Sequence, residues 1–399
     1  MTLSPNQNNK MELSSENQVF FEMLEVPIYC NLLWSDQQAA KDCPKGDLKL
    51  AFCPQTGLIY NVAFDSSKLG YSQDYENSLH YSPRFQEYAD RLAQGLIKDY
   101  DLHQKDIIEI GCGKGDFLIS LCSLGENKGI GFDPTYVPRE EHQAFTEQVK
   151  FVQDFYSEDY KDYQADLICC RHTLEHVLDP SDLLKPLRKA IGDRLNTAVF
   201  FEVPNALYTF QELAVWDIIY EHCCYFTPTS LAYAFIDHGF EVKNKRTEFE
   251  EQFLCLEAVP VAENVSFPEQ HQQEIESLSQ DLATFSSKFA TLVQTWTEKL
   301  RQINQAGQKI VLWGAGSKGV TFLNILKCGD LVEYIVDLNP RKQGMYVPGT
   351  GQKIVPPEFL QDYHPDLVIV MNPIYEEEIR QMILDMGLTN TSITTVENP

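Results

Sequence analysis

The stretch Glu109-Ile110-Gly111-Cys112-Gly113-Lys114-Gly115-Asp116-Phe117 sets three alternating glycines between an apolar run, Lys105–Ile110, and a segment, Asp116–Leu124, that reads as a helix. Glycines at these positions remove every Cβ that would keep a ligand away from the backbone. The stretch therefore predicts a buried strand, a turn able to hold a nucleoside, and a helix leading away from it. Its spacing, E-x-G-x-G-x-G, differs from the G-x-G-x-x-G of dinucleotide folds.

The downstream sequence extends the pattern. Gly129–Phe132 is a short apolar run ending at Asp133, about 20 residues beyond the loop, where a carboxylate accepts hydrogen bonds from ribose hydroxyls. An Asp ending a strand equally caps a turn, but its spacing from the glycine loop favours the ligand role. Val149–Asp154 reads as a third strand, with Gln153, Asp154 and Phe155 set to meet a base edge and face. Ala165–Cys170 leads into Arg171-His172-Thr173-Leu174-Glu175-His176, and Ala198–Glu202 into Pro204-Asn205. Strand, glycine turn, helix, strand, so repeated, predicts an α/β doubly wound parallel sheet.

At 399 residues the chain is too long for one typical domain. The divisions read as a disordered tail (1–18), a small β-rich lobe (19–64), the glycine-loop domain (65–260), a helical connector (261–306) and a second Rossmann-like domain (307–399). No apolar run reaches the roughly 18 residues of a membrane span. The polar first 18 residues lack a signal-peptide pattern, so a cytoplasmic protein without membrane partners is expected. The net charge of −26 disfavours the electropositive face that nucleic acid requires. An anionic small molecule would depend on local cations such as Lys318, Arg341 and Lys342. Eleven cysteines in this setting read as free thiols.

In the connector, Ile275, Leu278, Leu282, Phe285, Phe289, Leu292 and Trp296 recur every three or four residues within Pro268–Gln305, predicting a helix with one buried face. It leads into Lys309–Trp313 and then Gly314-Ala315-Gly316-Ser317-Lys318-Gly319, with Asp337 ending the next apolar run. That unit could hold NAD, making the protein an oxidoreductase. A helix N-terminus behind glycines binds other phosphates equally well, the diphosphate of a nucleotide sugar among them.

Two constellations carry chemistry. Tyr220-Glu221-His222 interrupts an apolar, aromatic segment, where polar groups are costly to bury without partners. His222 reads as a general base, Glu221 as its orienting group, and Tyr220 or Tyr75 as the donor to a developing oxyanion. The competing reading is a satisfied core network. His172-Thr173-Leu174-Glu175-His176 fits the metalloprotease pattern H-x-x-E-H. It directly follows a buried strand and ends at Asp179-Pro180, so His172 is placed near the cofactor, and Glu175 and His176 as turn residues.

The motif around Glu109–Asp116 resembles that of class I S-adenosylmethionine-dependent methyltransferases. With the cysteine lobe, Tyr220-Glu221-His222 and the Gly314–Gly319 unit, the chain is similar to the C-methyltransferases of deoxysugar biosynthesis along nearly its whole length. The resemblance implies S-adenosylmethionine as cofactor, held by Glu109, Gly111, Gly113, Gly115, Asp133, Asp154, Phe155, Arg171 and His172. It also implies an active site at Tyr220, Glu221 and His222. Tyr75 joins them on the chemistry of the residues, and Gly314, Gly316, Lys318, Asp337 and Arg341 are read as a substrate seat. The acceptor would be a small molecule, an anionic nucleotide-linked 4-keto-6-deoxysugar methylated at carbon. O-, N- or C-methylation of another natural-product intermediate stands as the alternative. Family members hold a zinc on two Cys-x-x-Cys pairs; here Cys30 and Cys53 have lost their partners to Leu33 and Thr56, and Cys43 does not complete a set, so no metal is expected.

Overall fold

A computed structural model describes residues 18–397 apart from 71–74, 77, 264, 269 and 330. The expected tail thus lies almost wholly outside the described residues, as does part of the aromatic segment 71–81.

The first lobe comprises β1 (Val19–Pro27), α1 (Gln37–Lys41), β2 (Lys45–Phe52) and β3 (Ile59–Asn61). The central domain follows with α2 (Pro83–Asp99), β4 (Asp106–Ile110), α3 (Asp116–Gly125), β5 (Lys128–Phe132), β6 (Val149–Val152), β7 (Leu167–Arg171), α4 (Ser181–Ile191), β8 (Ala198–Pro204), α5 (Ala206–Gln211), β9 (Cys224–Tyr225), α6 (Pro228–Asp237), β10 (Phe240–Glu248) and β11 (Phe253–Pro260). After α7 (His271–Gln305) come β12 (Ile310–Trp313), α8 (Ser317–Leu326), β13 (Tyr334–Val336), β14 (Lys353–Val355), α9 (Leu360–Tyr363), β15 (Leu367–Val370), α10 (Glu376–Asp385) and β16 (Ser392–Thr395).

The central sheet has the order β10-β11-β8-β7-β4-β5-β6. Strands β4 to β8 are parallel, and β11 runs antiparallel to both β8 and β10. All of β7 and nearly all of β8 are buried, as expected of parallel strands covered on both faces. Local signals set the helices: Ser82 accepts from the Phe85 amide ahead of Pro83, and Thr227 closes a capping box with Ser230 ahead of Pro228. The second sheet, β14-β13-β12-β15-β16, is wholly parallel. Both Rossmann-like units expected from the sequence are thus present.

The lobe departs from its reading in one respect. Its sheet is completed by β9 of the central domain, with Ile59 opposite Tyr225 and Tyr60 opposite Cys224. The lobe is therefore docked on the segment that directly follows Glu221 and His222. Helix α7, about 52 Å long at 1.5 Å per residue, buries Ile275, Leu278, Leu282, Phe285, Trp296 and Leu300; Phe289 and Leu292 are only partly covered. Its stripe joins Leu48 and Leu50 of the lobe to Leu312 and Ile335 of the C-terminal sheet in one core. Among the described residues no helix is long and apolar enough to cross a membrane.

Candidate active site

In the central sheet β5 and β6 lie on one side of β4, and β7 and β8 on the other, so the chain reverses direction between β4 and β7. A crevice opens at such a point beyond the carboxyl ends of the strands. The glycine loop leaves β4 there. A Cβ on Gly111 would lie 1.9 Å from Thr173 Oγ1, so this glycine lets the loop pack against the turn after β7. Gly113 has φ +54° and faces open space, with nothing within 4 Å of an added Cβ. The loop is held by Asp133, whose Oδ2 accepts from the Gly113 amide at 2.8 Å and whose Oδ1 accepts from the Thr135 amide and hydroxyl. Burial pushes Glu109 up to about 8, and its Oε2 is buried with no partner in the protein. An open glycine cradle, an aspartate at the next strand end and a partnerless buried carboxyl oxygen fit a nucleoside cofactor. Phe155, 60% exposed beyond β6, lies on the same edge, and Asp154 is engaged by the Tyr160 hydroxyl at 2.5 Å.

Arg171 is placed differently from its sequence reading. Its guanidinium turns into the core and grips Glu202 through Nε at 3.0 Å and Nη2 at 2.9 Å, over the ring of Phe117. Tyr88 also donates to Glu202. Its charge is spent joining β7 to β8. His172, at φ +49°, follows at the cleft and brings Nε2 within 2.9 Å of Glu202. Burial would raise Glu202, but the Arg171 guanidinium holds it well below the ordinary carboxylate range.

Glu175 and His176, read as turn residues, instead join His222. One potential ligand atom from each of the three lies within 4.8 Å of the others. His176 Nδ1 is 2.8 Å from the Glu221 carbonyl oxygen and donates to it, and the His222 ring bonds the Asp217 carbonyl. Burial pulls His176 down to about 3, helped by His222, and pulls His222 down to about 4 against the opposing pull of Asp217. Both rings are therefore neutral at pH 7. Burial pushes Glu175 up to about 7, and neither of its carboxyl oxygens has a hydrogen-bond partner in the protein. Glu221 is also pushed up to about 7 by burial, although its Oε2 accepts from the Cys30 amide at 2.8 Å and its carboxyl bonds the Tyr75 hydroxyl. Tyr220 is committed elsewhere: its hydroxyl accepts from the Asp65 amide at 2.9 Å and its ring stacks on Phe64. A clue to the cluster was present in the sequence, since Glu-His recurs at 175–176 and 221–222.

The second Rossmann-like unit mirrors the first. Asp337 accepts from the Ala315 amide and from the Asn339 amide, both at 2.8 Å, as Asp133 does in the central domain. The N-terminus of α8, however, already faces an anion. Asp217 lies 2.7 Å from both Ser317 Oγ and Lys318 Nζ, in the seat the sequence suggested for a diphosphate. Gly314 and Gly316 border that seat. Arg341 is paired with buried Glu76, which also accepts from Asn339. Glu76 and Tyr75 come from the aromatic segment near Lys114, whose Nζ donates to the Tyr75 carbonyl at 3.4 Å. The cysteines of the lobe, Cys30, Cys43 and Cys53, are buried free thiols.

Comparison with known proteins agrees with this architecture. A family model described as a methyltransferase domain matches residues 81–245, and one described as a C-methyltransferase C-terminal domain matches residues 260–391. A tRNA U34 carboxymethyltransferase of Campylobacter hominis is 29% identical over 143 residues, 34% of this chain and 49% of that protein. A ubiquinone biosynthesis O-methyltransferase of Escherichia coli is 30% identical over 112 residues, 26% of this chain and 45% of that protein. The chain thus spans about half the length of these curated relatives. Among solved structures, a riboflavin-derivative dimethyltransferase of Streptomyces davawensis shares 17% identity at a TM-score of 0.37, over 44% of this chain and 56% of that one. The two family models follow one another along the chain and coincide with its two Rossmann-like units, and the first covers the open glycine cradle. The chain thus carries a methyltransferase domain, an N-terminal β lobe ahead of it and, behind it, a second Rossmann-like domain that matches the C-methyltransferase C-terminal family.

Proposed function

We propose that this enzyme methylates a carbon next to a carbonyl group in a small biosynthetic intermediate. The observation that carries the reading is the buried set Glu175, His176, Glu221 and His222 beside the cofactor loop. These groups accept protons, and burial has tuned Glu221 to about 7. A carbon acceptor needs a base matched to working pH and an electrophile for the enolate oxygen. S-adenosylmethionine supplies the electrophilic methyl group on its sulfonium. Glu221 takes the proton, since at about 7 it is better matched to neutral pH than His222 at about 4. Tyr75 and the Cys30 amide hold its carboxylate in place. The name of the matching C-terminal family model supports carbon as the methylated atom.

The nucleotide-linked 4-keto-6-deoxysugar is a finer form of this reading. Asp217 occupies the helix end assigned to its diphosphate, which favours a carbonyl acceptor without one. The E. coli relative is named for O-methylation, so a hydroxyl acceptor is the second reading.

The test is mass spectrometry of the enzyme with S-adenosylmethionine in deuterated water. The acceptor panel contains ketones, nucleotide 4-keto-6-deoxysugars, phenols and a tRNA fraction. A one-methyl gain with enzyme-dependent deuterium uptake at the methylated carbon is the expected result. Methyl gain on oxygen, or on tRNA, without exchange would defeat the carbon reading. Turnover is also expected to rise with pH along a limb near 7, because Glu221 must lose its proton to act as a base. Glu221→Gln should remove that limb; a limb unchanged in this variant would assign it to another group.

A further inference from the structure

We propose that Glu175, His176 and His222 form a binding site for a divalent transition-metal ion. Two histidines and one carboxylate are a catalytic ligand set for zinc, with room left for an exogenous oxygen. The three come from two segments: Glu175 and His176 from the turn after β7, and His222 from the stretch before β9. Their ligand atoms lie within 4.8 Å of one another. Ligands about 2.1 Å from a tetrahedral ion stand roughly 3.4 Å apart, so small rotamer shifts close the set.

The surroundings support the assignment independently of that spacing. Each histidine spends one ring nitrogen on a main-chain carbonyl, His176 on Glu221 and His222 on Asp217. Such a bond fixes the tautomer that presents the other nitrogen as a lone pair, the usual second-sphere arrangement of ligating histidines. Glu175 is 98% buried, and both of its oxygens lack a partner in the protein. A buried carboxylate without a partner is costly, and a cation satisfies it. Lys318, the nearby cation, is neutralised by Asp217 at 2.7 Å. His172 Nδ1 stands 3.8 Å from Glu175 Oε1.

The ion's role rests on the carbonyl-acceptor reading, whereas its binding does not. With the acceptor's oxygen beside the ion, the C–H bond breaks, its proton passes to Glu221, and its electron pair becomes an enolate whose oxygen charge the ion stabilises. That pair then forms the new C–CH₃ bond as the sulfonium S–CH₃ bond breaks, leaving S-adenosylhomocysteine.

The full chain, stripped with chelator, is incubated with Zn²⁺, desalted and analysed for metal per protein. About one equivalent is expected in the unaltered enzyme, with affinity down at least tenfold in Glu175→Gln and in His222→Asn. Both variants must keep S-adenosylhomocysteine binding, which shows them folded. Co²⁺ loading should give a spectrum of nitrogen and oxygen ligands. An intense thiolate-to-cobalt band would place the ion on the cysteines and overturn the site, as would loss of all zinc from the unaltered enzyme or full retention by both variants. Zinc bound at this site with no methyl gain on any carbonyl compound would sink the acceptor reading alone.

Discussion

His222→Ala is expected to leave S-adenosylhomocysteine affinity within about twofold while turnover falls by about 10²–10⁴. The asymmetry follows from the geometry. The cofactor loop is organised by Asp133 and Thr173, whereas the His222 ring belongs to the cluster with Glu175 and His176. The acceptor side is organised around that ring, which packs against His176 at 5.1 Å between centroids and is aimed by the Asp217 carbonyl. Calorimetric titration and single-turnover kinetics on the same preparation separate the two effects. Because the pH limb near 7 is assigned to Glu221, His222→Ala should keep that limb at reduced height. Unchanged turnover would reduce His222 to a core residue and remove its ring from the acceptor side, leaving Glu221 as the base.

Glu202→Ala should cost about 3–5 kcal/mol of stability, the usual result of leaving one half of a buried ion pair uncompensated. Glu202 is fully buried and takes a hydrogen bond from Arg171 Nε, the ion-pair contact of Arg171 Nη2, a hydrogen bond from Tyr88 and the approach of His172. Against a total of about 5–15 kcal/mol, the loss shows as a large drop in Tm. Replacing Arg171 by methionine and Glu202 by leucine together should recover most of it, since no charge then remains buried. A loss below about 1 kcal/mol in the single variant would mean that water reaches Arg171. The pKa of Glu202 is depressed in the folded state, so the pair contributes above the ordinary carboxylate range and its contribution is lost only as pH falls below it.

The sequence disclosed the two Rossmann-like units because their signals are local. Alternating glycines after an apolar run, an aspartate at the next strand end and a three-four apolar stripe in α7 each act within a few residues. Groups that meet only after folding were not legible. Asp217 and Lys318 are 101 residues apart, and Asn339 and Glu76 are 263 apart. No periodicity announces such pairs. Arg171 was misplaced because a cation after a strand suggests a ligand until its partner on the neighbouring strand is known. Glu175 and His176 were read as turn residues because the turn after β7 and the segment before β9, about 45 residues apart in sequence, become neighbours only in the folded chain. Tyr220 was drawn to the catalytic set by its adjacency to Glu221, although the two stand in a turn closed by the His222 amide on the Ile219 carbonyl, and the Tyr220 hydroxyl goes to Asp65.

The two-residue strand β9 bears on how this enzyme can change over generations. Cys224 and Tyr225 finish the sheet of the lobe, Cys30 of the lobe holds Glu221 through its amide, and Glu221 lies three residues before Cys224. The lobe and the catalytic segment therefore cannot be inherited as separate parts. A lobe grafted from a relative would arrive with its own edge register and its own amide position, and would displace the carboxylate even if every catalytic side chain were retained. New acceptor specificity in this lineage should arise through linked substitutions at 30–33, 59–61 and 220–226, rather than through exchange of whole domains.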